Sequence, residues 1–202
     1  MTIRPFTREL DACYEFQGHR EAYARMLLAV ENRLLGVLTG EVGSGKSALL
    51  RRLFRSLDPM RNEMSEAMLL ELRFVMSHQM DARSLFPVLL AGQPELRKRL
   101  RLKKYEAISQ RIGIQYHLGG MSREETAAYI RHHLEVAKLQ RPVFSESAIQ
   151  MLYAASQGLP RVVNQICSQI LFEAEGNETE VVEEMQISRV LTDMERQRGT
   201  AG

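Results

Sequence analysis

A glycine-rich stretch between a strand-like and a helix-like segment is the part of the sequence best suited to chemistry. It reads Gly40-Glu41-Val42-Gly43-Ser44-Gly45-Lys46-Ser47 and matches the spacing G-x-x-x-x-G-K-[ST] at every fixed position. Its glycines permit backbone angles that a side chain forbids, so successive N–H groups can turn inward and hold phosphate oxygens. Lys46 would then reach the β- and γ-phosphates of a nucleotide, and the Ser47 hydroxyl would bind Mg²⁺. The stretch predicts a site for a nucleoside triphosphate with Mg²⁺.

The segments around this loop predict an α/β domain. Leu34–Thr39 before it has the pattern of a buried strand, and Ser47–Phe54 after it has that of a helix with one apolar face. Two further strands are predicted at Leu85–Ala91 and at Ile112–Leu118. Strands that alternate with helices form a parallel sheet, so residues 1–120 are predicted to be a nucleotide-binding α/β domain.

From Met121 onward the pattern is helical throughout. Ser122 and Glu125 have the spacing of a capping box, and Pro160 suits the first turn of a later helix. Apolar stripes at helical spacing continue to Met194. Residues 121–195 are therefore predicted to be a helical lid domain, followed by a flexible tail at residues 196–202.

The composition narrows the class of protein without naming a partner. The 27 basic and 25 acidic residues nearly balance, and no apolar run is long enough to span a bilayer. The first residues lack the apolar core of a signal peptide. Cys13 and Cys167 are far apart and have neither metal-binding nor redox spacing. These features predict a cytoplasmic protein without membrane insertion.

Several further motifs together resemble one family. They are Ala91-Gly92-Gln93-Pro94-Glu95-Leu96, Gln110-Arg111-Ile112, Thr126-Ala127-Ala128-Tyr129-Ile130 and Gly158-Leu159-Pro160-Arg161-Val162-Val163-Asn164. With the glycine-rich loop, they make nearly the whole chain similar to AAA+ ATPases of the ExeA type (general secretion pathway protein A) and to the TnsC-type ATPases of DNA transposition. The resemblance implies a P-loop NTPase core with a reduced parallel sheet whose middle strand is the one before the loop, an all-helical lid, ATP as the nucleotide, and homo-oligomers.

The resemblance also implies roles for three residues outside the loop. Gln93 takes the position of the polar sensor that faces the γ-phosphate, and Arg161 that of the lid arginine that senses bound nucleotide. Arg111 lies where such proteins place an arginine that acts on a neighbouring subunit. A surface arginine beside an edge strand is an equal alternative for Arg111.

An acidic pair that the family uses for hydrolysis is missing from its expected place. In the family, a strand after the loop helix ends in Asp-Glu, which holds Mg²⁺ and polarises the attacking water. Here the interval from Asp58 to Met64 is too short for even one strand–helix–strand unit, so a central block is predicted to be deleted. Glu63 and Glu66 could replace the lost carboxylate or could be solvated acids at a helix start. The prediction is an ATP-binding protein with impaired hydrolysis.

A basic stretch leaves the choice of macromolecular partner open. Its members are Arg97, Lys98, Arg99, Arg101, Lys103, Lys104 and Arg111. It is either a surface for DNA phosphates or a solvated helix face. The first function predicted is an ATP-dependent regulator of DNA transposition that assembles on DNA with a transposase. A secretion-type accessory ATPase and a non-hydrolysing nucleotide-binding module are the alternatives. The absence of a membrane segment and of a wall-binding region favours the first.

Overall fold

The computed structural model of the chain describes residues 5–6, 14–57, 87–139, 143–176 and 181–199. These residues fall into two units, Gln17–Gly119 and a second that combines Met1–Phe16 with Gly120–Gly202. The carboxylates Glu63 and Glu66 and the predicted deletion near Asp58 lie outside the described residues.

The first unit is built on a parallel sheet. It contains, in chain order, α1 (Gln17–Glu31), β1 (Leu35–Gly40), α2 (Lys46–Ser56), β2 (Val88–Gly92), α3 (Pro94–Leu100), a 3-10 turn (Lys103–Tyr105), α4 (Glu106–Ser109) and β3 (Ile112–Leu118). The three described strands are parallel and lie in the order β2-β1-β3. The predicted parallel sheet, with the loop strand in the middle, is confirmed for these strands.

Strand β1 is buried along its whole length because it has a partner on each side. It pairs Thr39 with Gly92 of β2 and Gly40 with Leu118 of β3, so the carboxyl ends of all three strands share one edge of the sheet. β2 begins at Val88, after Pro87, which has no N–H to donate to a ladder; the predicted strand residues Leu85 and Phe86 lie outside the described part of the chain. On one face of the sheet, Leu35 and Val37 of β1 pack against Leu100, Tyr105 and Ile108, which lie between β2 and β3.

The second unit is helical in its described part. It contains α5 (Arg123–Val136), α6 (Glu146–Ser156), α7 (Pro160–Gly176) and α8 (Glu184–Gly199). The predicted capping box is present, because the Ser122 hydroxyl accepts from the Glu125 N–H while the Glu125 carboxylate accepts from the Ser122 N–H. Helix α8 reaches into the segment for which the sequence predicts a flexible tail. None of the described helices has both the length and the apolar character that crossing a bilayer requires.

Two glycines allow separate segments of the helical unit to touch at the backbone. Gly158 follows α6 with φ +67°, and its carbonyl accepts a 2.9 Å hydrogen bond from the Met121 N–H. A Cβ on Gly158 would overlap the Met121 carbonyl oxygen and lie 2.7 Å from its nitrogen. A Cβ on Gly120 would overlap the Gln157 carbonyl oxygen. This glycine contact, formed by residues 120–121 and 157–158, joins the start of the helical unit to the end of α6.

A group of aromatic and histidine rings packs around the middle of α5. His133 stacks on Phe6 with ring centroids 5.2 Å apart, and its centroid is 4.5 Å from that of Tyr129. Burial, together with the smaller effect of neighbouring His132, lowers the pKa of His133 to about 4. His133 is therefore neutral near pH 7, and His132 and His133 belong to no metal-binding cluster among the described residues.

Candidate functional site

The glycine-rich loop links the carboxyl end of β1 to the first residue of α2. β1 ends at Gly40 and α2 begins at Lys46. Gly43 and Gly45 have φ of +90° and +98°, values that residues with a Cβ rarely adopt. Gly45 is also the N-cap of α2, so the first unpaired N–H groups of the helix and its positive dipole end open onto the loop.

Lys46 folds back over this loop. Its Nζ donates to the carbonyl oxygens of Gly40 at 2.7 Å and Glu41 at 2.9 Å. These bonds hold a positive charge against the backbone of the loop. Ser47, the next residue, is exposed in the first turn of α2, where its hydroxyl is accessible to a cation.

The floor of the loop is closely packed. A Cβ on Gly40 would overlap the carbonyl oxygen of Leu118 and lie 2.8 Å from the Ser44 Oγ, so only glycine fits there. Ser44 is fully buried and its N–H donates to the Glu41 carbonyl at 3.1 Å. In contrast, Glu41 and Val42 are exposed at the mouth of the loop. The loop is thus held by packing at Gly40 and Ser44, and it is open to solvent at Glu41 and Val42.

Helix α1 contributes a residue that the sequence analysis missed. The buried His19 places its Nε2 3.2 Å from the Ser44 carbonyl oxygen. A Cβ on Gly45 would overlap the His19 ring. The available signal was the buried stripe of α1, in which His19 is a polar member at helical spacing with Ala22, Met26 and Ala29.

The carboxyl edge of the sheet brings two more polar groups near the loop. Gln93 directly follows β2, is exposed, and is the N-cap of α3 without a side-chain capping bond. Because Thr39 pairs with Gly92, Gln93 lies at the same edge as the loop. On the other side of β1, the Thr39 Oγ1 is 3.2 Å from the Nδ1 of His117.

The structure separates Arg111 from this edge. Arg111 precedes β3, and Ile112 pairs with Leu35 at the amino end of β1. A strand of this length spans about 20 Å, so Arg111 lies at the opposite edge of the sheet from the loop of its own chain. Arg161 belongs to the helical unit, where it is exposed in the first turn of α7. The Arg161 side chain makes no hydrogen bond or ion pair with the described residues.

The loop has the chemistry of a phosphate and magnesium site. Glycines at positive φ, a helix N-terminus and the Lys46 ammonium all favour polyanions. Among the described residues, no group of three or more His, Cys, Asp or Glu side chains could hold a metal ion. Mg²⁺ needs no such group, because it commonly binds one or two protein oxygens together with the phosphates of its nucleotide. Ser47 suits that arrangement.

Comparisons with known proteins agree with this geometry. The chain is 38% identical over 104 residues to General secretion pathway protein A of Aeromonas hydrophila, a match that covers 52% of this chain and 19% of that protein. No protein-family model matches the chain. This chain therefore spans far less than the full length of its curated relative.

Solved structures of a DNA motor share the architecture. The RuvB Holliday junction branch migration motor of Thermotoga maritima superposes with a TM-score of 0.57 at 14% identity, over 86% of this chain and 68% of that one. Another RuvB structure from the same organism gives 0.61 at 15% identity, over 92% and 72%. These likenesses establish the fold that the chain shares with those structures: an α/β P-loop core with a parallel sheet, together with a helical part. The fold class predicted from the sequence is confirmed.

Proposed function

We propose that this chain binds ATP with Mg²⁺ in the loop Gly40–Ser47. The observation that carries the proposal is the Lys46 ammonium, held 2.7 Å from the Gly40 carbonyl above a loop built on two positive-φ glycines. An ammonium in that place neutralises the β- and γ-phosphates as a point charge. Ser47 supplies one oxygen to Mg²⁺, and the phosphates and water complete the octahedron.

We further propose that the bound ATP is hydrolysed slowly. Phosphoryl transfer to water needs a positioned water and metal-borne stabilisation of charge. The sequence from Asp58 to Met64 contains no apolar run that is followed by an acidic pair, the pattern expected for the water-polarising carboxylate. The loop therefore has the groups needed to bind ATP, whereas the carboxylate needed to hydrolyse it is not found in the sequence where the family places it.

Titration of the purified chain with fluorescently labelled ATP tests both halves. We expect saturable binding that requires Mg²⁺ for full affinity, and turnover well below the ~1 s⁻¹ that marks the low end of typical enzymes. Hydrolysis is measured as phosphate release from the same samples. Absence of saturable binding would refute the ATP site, whereas turnover at ordinary enzyme rates would refute only the impaired hydrolysis.

Three residues outside the loop have proposed roles at this site. Gln93 shares the sheet edge with the loop and is proposed to face the γ-phosphate. Arg161 is proposed, by family resemblance, to sense the bound nucleotide from the helical unit. Arg111, at the far edge of the sheet, cannot act on its own chain's loop and is proposed to act on a neighbouring subunit of a homo-oligomer. Single alanine substitutions, measured for both ATP affinity and turnover, test each role.

For the cellular role, we propose an ATP-dependent regulator of DNA transposition that assembles on DNA and contacts a transposase. Support comes from the basic stretch defined above, which the fold places on α3, the 3-10 turn and the approach to β3. Its members Arg97, Lys98, Arg99, Arg101, Lys103, Lys104 and Arg111 are all exposed. Clustered exposed cations of this kind bind nucleic-acid backbone by releasing its counterions.

Charge reversal tests the DNA surface. The double variant Lys98→Glu with Lys103→Glu is expected to weaken duplex DNA binding at low ionic strength by about tenfold or more and to flatten its salt dependence by about one unit per lost phosphate contact. The control is Arg20→Glu with Arg55→Glu, which reverses two exposed charges outside the stretch. Binding is measured by fluorescence anisotropy across a salt series. Equal losses in both double variants would contradict a localised DNA surface.

A secretion-type accessory ATPase is the second candidate, supported by the likeness to General secretion pathway protein A. The two candidates differ in how assembly responds to DNA. Particle size measured with ATP, with duplex DNA and with both together separates them. Growth that requires both ligands supports the DNA-bound regulator. Growth with ATP alone that is indifferent to DNA supports the secretion-type role.

A further inference from the structure

We infer that His19 is a positioning residue of the phosphate loop, acting by fixing the direction of the Ser44–Gly45 peptide. The inference rests on the proposed ATP site and adds to it a residue from outside the loop. The His19 Nε2 lies 3.2 Å from the Ser44 carbonyl oxygen, and the His19 ring occupies the space that a Gly45 side chain would need.

The bond defines the tautomer of the ring. A carbonyl oxygen can only accept a hydrogen bond, so the Nε2 of His19 must carry the proton and donate. Both ends of the bond are buried: His19 is 7% exposed and Ser44 is fully buried. Water therefore cannot replace the donor if the ring is removed, and the Ser44 carbonyl would be left unsatisfied.

The direction of this bond determines where the next N–H points. A peptide unit is planar and trans, so the Ser44 carbonyl and the Gly45 N–H point in opposite directions. Because the carbonyl is directed at α1, the Gly45 N–H is directed away from α1. In the described part of the chain this N–H donates to no backbone carbonyl. It is thus oriented and available for an anion in the loop.

The ring also limits the conformations of Gly45. With φ at +98°, this glycine has freedom that other residues lack, and the same freedom would let the unliganded loop adopt other shapes. The His19 ring packs directly against the Gly45 Cα region and restricts these alternatives. When the N–H groups are oriented before binding, less free energy is lost in ordering the loop as the nucleotide binds, so the affinity is higher.

Two substitutions separate the hydrogen bond from the packing. His19→Gln keeps a donor at about the reach of Nε2, whereas His19→Leu fills much of the space without a donor. The matched control is Arg20→Ala, on the adjacent exposed position of α1. We expect His19→Leu to raise the Kd for Mg²⁺-ATP about tenfold, while His19→Gln and Arg20→Ala stay within about threefold of the parent chain.

Further measurements distinguish positioning from general stability. The melting temperature of each nucleotide-free variant reports loss of packing. If His19 has a merely structural role, His19→Leu and His19→Gln should both lower the melting temperature, and neither should selectively change the Kd for Mg²⁺-ATP. That result would overturn the inference. The imidazole ¹⁵N shifts of the parent chain should show a protonated Nε2, and an unprotonated Nε2 would also contradict it.

Hydrogen exchange without nucleotide keeps the inference testable by itself. His19→Leu should speed exchange of the loop amides at residues 43–47 relative to those of β1, and His19→Gln should not. If the parent chain binds no ATP, the proposed function fails, yet this comparison still decides whether His19 orders the loop. If the parent binds ATP and His19→Leu binds equally well with unchanged exchange, the inference alone fails.

Discussion

Replacement of Lys46 with alanine is expected to weaken ATP binding by about 100-fold. The ammonium lies over the loop, bonded to the Gly40 and Glu41 carbonyl oxygens. In the proposed complex it donates to phosphate oxygens, and one charge-assisted hydrogen bond contributes about 1.5–3 kcal/mol. Loss of one such bond corresponds to roughly 10- to 150-fold in Kd. Titration with labelled ATP at constant Mg²⁺ measures the change.

Arg55→Ala is the matched control, since it removes an exposed cation from the last turn of the same helix. Its ATP affinity should equal that of the parent chain. Neither variant should change the melting temperature much, because the bond to Glu41 is exposed and the bond to Gly40 is only partly buried, so water can reach the carbonyls that Lys46 releases. ATP affinity of Lys46→Ala within threefold of the parent would show that nucleotide is bound elsewhere.

The second large effect is expected in the helical unit, from Gly158→Ala. Gly158 has φ +67°, and its added Cβ would overlap the Met121 carbonyl oxygen. Because the obstacle is backbone, it cannot turn aside as a flexible side chain could. A left-handed angle on a residue with a Cβ, together with a steric overlap, should lower the free energy of unfolding by about 2–4 kcal/mol.

Gly119→Ala provides the comparison for this substitution. A Cβ at Gly119 meets no atom within 4 Å, so this variant should unfold like the parent chain. Urea denaturation followed by circular dichroism measures both variants, and a loss of about 3 kcal/mol corresponds to roughly 6–12 °C in melting temperature. Equal urea midpoints for the two variants would contradict this prediction, because they would show that the backbone at the glycine contact accommodates a Cβ without loss of stability.

The sequence was sufficient for features that depend on local pattern. The loop is recognisable because its residue types and spacing are set by phosphate itself, and the capping box of α5 because its two bonds span only residues 122–125. The central position of β1 followed from family resemblance. In each case the residues that matter are neighbours in the chain or belong to a shared motif.

Features that depend on packing between distant segments were not predictable. His19 is 25 positions from Ser44, and only the docking of α1 beside the loop brings them together. The placement of Arg111 at the far edge depends on the register of β3 against β1. The need for glycine at position 158 arises from the approach of residues 120–121, which no local spacing reveals.

The order of strands in the sheet has a consequence for synthesis of the chain. Both neighbours of β1 come after it, at Val88–Gly92 and at Ile112–Leu118. A nascent chain on the ribosome therefore exposes the loop long before the strands that hold it have been translated. Cooperative units fold only when their long-range pairs can close. The growing polypeptide should thus acquire a nucleotide site abruptly, once residues beyond Leu118 have left the exit tunnel, and a chain released earlier should have none.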